Sequence, residues 1–431
     1  MAFSKIDYSM TLSGEQIAAG NKIVQSFGKV SWCVLLAQMQ SGKTGTYLFV
    51  VAELLRVKKI KKVIILCGNS ETELKTQMIE SIREFEYKYR TYLMEFHSFI
   101  PEHDRNQIIQ NIFKSGTIIV KTGSELDSKR AIVAPTDTLL IWDESHYAAA
   151  KSNRPNKFLE RMGIRADGSI ECLDSKNNYV LSVSATPYAE LADLSGENQE
   201  KKVVKMNPGN AYKGVGYYLK NKKIIGFTKW QTKLTDILSD QFAGVKNKYG
   251  IVRVLGDSKM QEAIRIATEC GWDCKTFDSV VTDIDSMNDL DTAPTKNTVI
   301  FIRGMCRMGK VVPKQHVVFV METASKSNTD TLLQGLLGRM CGYAVDNEIF
   351  IYINDVILSK NTGLSSVCGQ TTELEKYVEL MDNDDEEFSS SRKVPVFVTT
   401  ANEEVMTMVD VSLIPTKAAH IKPSSENKHV Y

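Results

Sequence analysis

"LLAQMQSGKTGTYLFV", residues 35–50, decides how this chain is read. An apolar run breaks into a polar turn, Gln38-Met39-Gln40-Ser41-Gly42, and an apolar pattern of helical period resumes after Lys43 and Thr44. A buried strand, a tight turn and a helix together place the turn at the carboxyl edge of a parallel sheet, where open α/β sheets bind their ligands. The backbone N–H groups of such a turn, with the positive helix end behind them, cradle phosphates. Lys43 then reaches the β- and γ-phosphates, and the Thr44 hydroxyl serves as a Mg²⁺ ligand. The plainer reading is a Ser-Gly turn ahead of an amphipathic helix.

A second stretch decides between them. "TLLIWDESHYAAA", residues 138–150, is an apolar strand ending in two carboxylates, about 100 residues after Lys43. Asp143 is suited to hold Mg²⁺ through water, and Glu144 to orient and deprotonate an attacking water. Two strand ends with complementary metal roles point to a nucleotide hydrolase using ATP and Mg²⁺.

The rest of the chain supports that class. At 431 residues it is too long for one ordinary core, so two or three domains are expected. A hydrophobic fraction of 43% with 24% charged residues is globular. A net charge of +1 excludes a general polyelectrolyte attraction, so a nucleic-acid contact has to come from a local groove. The eight cysteines are scattered; only Cys270 and Cys274 are close, with no metal-ligand pattern around them, so free thiols in a reducing compartment are expected rather than zinc. The N-terminus lacks the apolar core of a signal peptide, and no run of about 18 apolar residues is present. An intracellular, soluble protein, in cytoplasm or nucleus (of the host cell if viral), is the expectation.

Strand-like runs at 32–37, 62–67, 117–121, 138–142 and 179–185 alternate with helical patterns, as do runs at 223–227, 250–256, 297–302, 316–322 and 348–353. Alternation of this kind predicts α/β domains with parallel sheets covered on both faces. Residues 203–216, with one Pro, three Gly and no periodicity, read as a linker. The predicted domains are 1–205, 206–360 and a small C-terminal segment, 361–431, with an acidic run at 382–387 and a polar tail. The basic cluster Arg56, Lys58, Lys59, Lys61 and Lys62 reads either as a helix end whose cations offset the dipole or as a strand contact.

Four motifs then carry a resemblance. AQMQSGKT, WDESH, VSATP (183–187) and QGLLGRMCG (334–342) stand in the order and approximate spacing of motifs I, II, III and VI of superfamily 2 helicases, over roughly residues 12–345. The resemblance implies two tandem RecA-like domains with ATP in the cleft between them, plus a small C-terminal segment. It implies ATP contacts from Gln40, Ser41, Gly42, Lys43, Thr44 and Gly45, with Mg²⁺ on Thr44 and Asp143. Gln16 is similar to an upstream glutamine that reads adenine. Gly68, Asn69 and Ser70, with Thr122 and Gly123, resemble loops that grip a nucleic-acid backbone. FIRGMCRMGKVVP (301–313) resembles motif V, with Arg303, Arg307 and Lys310 as strand contacts. Ser184 and Thr186, with His146, resemble groups that couple ATP state to grip. Gln334 and Arg339 resemble motif VI, with Arg339 approaching the γ-phosphate.

The chain also departs from that pattern. Ala37 stands where the phosphate-loop motif has its first glycine, and Gln40 where many relatives carry another. Gly342 occupies the place of a second motif VI arginine, so either Arg339 serves alone or Arg303 or Arg307 supplies the charge. His146 places the chain nearer the DExH branch, which leaves DNA and RNA both open. The style is that of helicases of phages and large DNA viruses. Two functions are in play: an ATP-driven motor on a nucleic-acid strand, sequence-independent and single-stranded, or a nucleotide-gated assembly or remodelling ATPase acting on a protein partner. A phosphate-loop kinase is disfavoured by the second α/β block.

Overall fold

The computed structural model describes residues 6–67, 72–122, 125, 136–143, 177–186, 201–278, 282–304, 311–324, 329–343, 348–359, 373–382, 393–399 and 404–410. Glu144, His146, Gly68, Asn69, Ser70, Gly123, Arg307 and Lys310 lie outside the described residues.

The chain divides into two compact units. The first contains Met1–Gln38 and Gly42–Gly209, the second Met39–Ser41 and Asn210–Asn383. In the first unit a six-stranded sheet is built from β1 (Trp32–Ala37), β2 (Lys62–Leu66), β3 (Ile118–Lys121), β4 (Thr138–Asp143), β5 (Tyr179–Ser184) and β6 (Lys201–Met206), in spatial order β3-β2-β4-β5-β1-β6. Every pairing is parallel. Among the described residues its helices are α1 (Gly14–Ser26), α2 (Lys43–Arg56), α3 (Thr72–Phe96) and α4 (Glu102–Phe113). β1 is buried along its whole length, which is why WCVLLA is continuously apolar rather than alternating. Its side chains join Tyr47, Leu48, Val51 and Leu54 of α2 and Val63 and Ile65 of β2 in one core.

The second unit repeats the architecture. Its strands are β7 (Ile224–Phe227), β8 (Tyr249–Arg253), β9 (Asp273–Asp278), β10 (Thr298–Arg303), β11 (Val317–Glu322) and β12 (Phe350–Asn354), ordered β7-β12-β11-β8-β10-β9 and all parallel. Helices α5 (Val215–Lys220), α6 (Trp230–Asp236), α7 (Asp257–Glu269), α8 (Thr329–Gln334), α9 (Leu336–Met340), α10 (Asp355–Ser359) and α11 (Glu373–Asp382) complete it. Phe242, Trp272, Phe319 and Tyr352 form its aromatic centre. Further on, β13 (Lys393–Thr399) and β14 (Glu404–Asp410) pair as an antiparallel hairpin. Two parallel six-stranded sheets in series are the α/β domains expected from the strand-helix alternation, and they match the tandem RecA-like architecture that the resemblance implied.

The structure differs from the sequence reading at four strands. The stretch read as a linker begins with β6, an edge strand beside β1, and only the residues after Met206 are irregular before α5. β9, DCKTFD, is an edge strand too polar along most of its length to register as an apolar run. In both cases only one flank of the strand is paired, so the burial that marks a central strand is missing. The hairpin of β13 and β14 lies in the segment read only as small and C-terminal.

Candidate nucleotide site

The turn after β1 has the backbone that phosphate binding needs. Gly42 takes a left-handed conformation (φ 98°) and is the N-cap of α2, with no side chain capping the first turn. Only a residue without a Cβ adopts that φ without cost. A Cβ at Gly42 or Gly45 would also come within 2.6 or 2.3 Å of the Gln16 side chain. Gln16 explains the fit: its Nε2 donates to the Gly42 carbonyl at 2.8 Å, and its Oε1 accepts the Ser13 N–H at 2.9 Å. The second bond is half of a capping box that starts α1. Gln16 thus joins the start of one helix to the N-cap of the next.

Lys43 and Thr44 open α2, both partly exposed. The Tyr47 hydroxyl, one turn along, lies 3.4 Å from Thr44 Oγ1 and 3.0 Å from the Met78 sulfur, which holds the Thr44 face of the helix against α3. Tyr47 escaped the sequence reading because it sits inside an apolar helical pattern where an aromatic is expected core.

Asp143 ends β4 on the same carboxyl edge, and β5 lies between β4 and β1. The strand carrying the Ser-Ala-Thr turn therefore separates the lysine strand from the carboxylate strand. Ser184 is opposite Leu36 in register, and Val183 opposite Asp143. The turn is closed by its own groups: Ser184 Oγ donates to the Thr186 carbonyl at 2.9 Å and accepts the Thr186 N–H at 3.2 Å. Beneath it the buried Ser182 accepts from Trp32 Nε1 at 3.0 Å, tying β5 to β1. Burial, aided by the charges of Asp143 and Glu125, pushes the Cys67 thiol at the end of β2 up to about 12, so it stays protonated beside the carboxylate. Thr122 binds Glu125 through its N–H at 2.9 Å, and Glu125 pairs with Lys75.

Arg56 is buried rather than displayed. Its guanidinium grips Glu53, which also accepts from the Tyr8 hydroxyl at 2.6 Å. Of the basic cluster at this helix end, Arg56 is therefore a core ion pair, whereas Lys61 is exposed and pairs with Asp137.

In the second unit, Arg303 closes β10 by bonding Asp278 of β9 at 2.5 to 2.6 Å and Asp257 at the start of α7. Gly335 interrupts α8 and α9, and Arg339 on α9 is 4% exposed, its Nη2 donating to the Gln334 carbonyl at 3.1 Å. The turn residues Met39–Ser41 belong to this unit. Gln40 is left-handed (φ 54°), an unfavourable choice for a residue with a Cβ, costing about 1 kcal/mol. Its side chain offsets this: Nε2 donates to the Arg339 carbonyl at 3.2 Å and Oε1 accepts from Lys314 Nζ at 2.6 Å. Tyr212 donates to the Met39 carbonyl at 2.6 Å, and Tyr343 lies 3.5 Å from that of Ser41. Sequence reading had no signal for Tyr212, Lys314 or Tyr343, which lie outside the recognised motifs. Among the described residues no group of three or more His, Cys, Asp or Glu forms a metal cluster, and no helix is long and apolar enough to cross a membrane.

Comparison with known proteins adds to this geometry. Residues 9–189 match the family profile described as type III restriction enzyme, res subunit. Uncharacterized protein L594 of Acanthamoeba polyphaga mimivirus is 27% identical over 356 residues, covering 79% of this chain and 83% of that protein. Among solved structures, Mycobacterium smegmatis helicase Lhr bound to ssDNA and AMP-PNP superposes with a TM-score of 0.50 at 14% identity, covering 86% of this chain and 48% of that one. S. cerevisiae Dbp5 bound to RNA and ADP BeF3 gives 0.49 at 12% identity, covering 80% and 88%.

Proposed function

With residues 9–189 matching the profile described as type III restriction enzyme, res subunit, and a second parallel α/β unit following them, we propose that the protein couples ATP hydrolysis to movement along a nucleic-acid strand. A helicase-type ATPase is the kind of function the family match supports; translocation, the strand and the residues below are the reading advanced here. The observation that carries it is the strand end at residues 37–44, where a left-handed glycine without a side-chain cap precedes Lys43 and Thr44, with Asp143 on the same sheet edge.

The residues present suit Mg²⁺. Thr44 and Asp143 are hard oxygen donors, the ligand type this cation takes. Thr44 and Asp143 would hold the ion, which when bound would supply positive charge against the phosphates. The chain's own contribution is positional. The first-turn N–H groups of α2 hold the phosphates, Lys43 adds a positive charge to the transferring group, and Glu144 accepts the proton of the attacking water. Arg339 supplies a further cation as charge develops. Thr122 and Gly123, the Gly68–Asn69–Ser70 loop, and Arg307 with Lys310 contact the strand's phosphates. Arg303 belongs to the same loop but acts by fixing its base, given the two carboxylates it holds.

Steady-state ATPase assays of the full chain with single- and double-stranded DNA and RNA test this. Turnover should rise with a single strand of one of the two acids, and the stimulation should fall steeply with added salt, because the affinity comes from phosphate contacts. ATP hydrolysis that none of the four nucleic acids changes would move the protein to the alternative class, an ATPase remodelling a protein partner. Unimpaired hydrolysis in Lys43→Ala would remove the nucleotide site itself.

A further inference from the structure

We propose that the far end of the α3–α4 hairpin is a docking surface for a partner protein, and that the segment it takes is an amphipathic helix whose apolar stripe is flanked by lysine or arginine. The surface lies wholly in the first unit and does not depend on the nucleotide reading.

α3 leaves the carboxyl end of β2, and its 25 residues make about 37 Å of helix at 1.5 Å each. The five-residue β2 and the four-residue β3 beside it span no more than about 17 Å. The last turns of α3 therefore extend past the amino edge of the sheet, opposite the nucleotide turn, before residues 97–101 lead into α4.

At this end apolar side chains are displayed. Phe96 is 56% exposed, Phe99 67% and Met94 38%. Single exposed apolar residues are ordinary on a surface, whereas a connected set marks a contact. This set is connected through rings. Tyr92 stacks on Phe96 with centroids 5.0 Å apart, Tyr92 meets the His97 ring edge-on at 5.2 Å, and His97 meets Phe99 at 5.2 Å. Tyr92 and Phe96 are one helical turn apart, the i, i+4 spacing with which one helix receives the ridge of another. At the centre His97 is 4% exposed, and among the described residues neither ring nitrogen has a hydrogen-bond partner. A buried imidazole without partners costs stability, so packing alone favours an apolar residue there. A docking helix that displaces the exposed Phe99 ring brings polar groups to those nitrogens.

Charge selects the occupant. The hairpin's cations are turned to groups of its own: Lys88 to Glu84 and Arg90 to Glu86 at 2.6 Å, and Arg105 Nη1 to the Met94 carbonyl at 2.7 Å. The rim is acidic: Glu95 and Glu102 are exposed, as is Asp7, whose carboxylate meets the Tyr92 hydroxyl. An apolar centre within such a rim repels a phosphate backbone and attracts a basic amphipathic helix.

Fluorescence anisotropy on the full chain tests this. The probe is a labelled helical peptide of about 18 residues, five turns, with leucine at i, i+3, i+4 and i+7 and lysine on both flanks; a control peptide carries glutamate in place of lysine. The lysine peptide should bind at least about tenfold tighter than the control and lose that advantage with added salt. Phe96→Ser and Phe99→Ser should each weaken it by about tenfold or more, as central anchors do, while keeping the parent's melting temperature and basal ATP hydrolysis. Glu95→Lys combined with Glu102→Lys should reverse the preference between the two peptides, which a folding defect would not do. Equal binding of both peptides, or binding that the phenylalanine substitutions leave unchanged, overturns the inference. Binding of single-stranded oligothymidylate that is lost in Phe99→Ser would make the face a nucleic-acid contact, and a sedimenting dimer lost in the same variant would make it a contact between two copies; either result also overturns it.

Discussion

Gln16 and Gly42 are joined by a 2.8 Å hydrogen bond from the glutamine amide to the glycine carbonyl, and the other end of the same amide accepts the Ser13 N–H. One side chain thereby caps α1 and braces the turn that begins α2. Gln16→Ala should lower stability by about 1–2 kcal/mol, as a lost capping partner and a lost turn bond. It should also reduce kcat/KM for ATP and GTP by a similar factor, because it acts on the turn. Parallel assays with the two nucleotides decide the matter: a loss confined to ATP would assign Gln16 to the adenine base, as its resemblance to the upstream glutamine implies.

Arg303 and Arg339 should fail in different ways. Arg303→Ala removes the guanidinium paired with Asp278, a carboxylate that is 7% exposed, and so weakens its compensation. Loss of one partner of a buried pair costs roughly 3–5 kcal/mol, reduced here to about 2–3 because the guanidinium is itself a quarter exposed. The expected readout is a lower denaturation midpoint for the second unit. Arg339→Ala should instead leave ATP affinity within about tenfold while turnover falls by 10³ or more, the scale of an arginine acting on transition-state charge. Retained turnover in Arg339→Ala with intact stability in Arg303→Ala would reverse both assignments.

Arg56→Ala should be among the most damaging substitutions of the first unit. It leaves Glu53 and Tyr8 facing each other in the core without the guanidinium, an effect of about 3–5 kcal/mol. The neighbouring Lys58→Ala and Lys61→Ala should stay within about 0.5 kcal/mol, as exposed surface changes do. Urea denaturation of the three variants measures this, and equal, small effects would place Arg56 on the surface with the rest of the cluster.

Lys314→Met should raise stability at neutral pH. The folded-state value of about 8 lies below the ordinary lysine value of 10.5, so the unfolded chain binds the proton more tightly. The native protein carries that penalty fully below pH 8 and sheds it as pH rises from about 8 to 10.5. The melting-temperature advantage of Lys314→Met should therefore be largest at pH 7 and shrink across that window. An advantage constant with pH would mean that packing, not charge, sets it.

The strand-turn-helix of residues 35–50 was legible because a parallel strand buried on both faces has to be apolar throughout, and the turn that ends it has to be polar. For the same reason ten of the twelve strands in the two parallel sheets stand out along the chain, and with them the tandem α/β architecture. Edge strands β6 and β9 did not, because one paired flank demands less apolar surface. Gln40 shows the other limit. Read along the chain it looks like a defect in a glycine-rich loop; in the fold its left-handed backbone is compensated by Arg339 and Lys314, residues 299 and 274 positions away. Local sequence determined strands, turn and lysine, since those follow from periodicity and near-neighbour sterics. Which carboxylates occupy Arg303 and that Arg56 is interior were decided only by tertiary structure, because long-range partners carry no sequence spacing by which to find them.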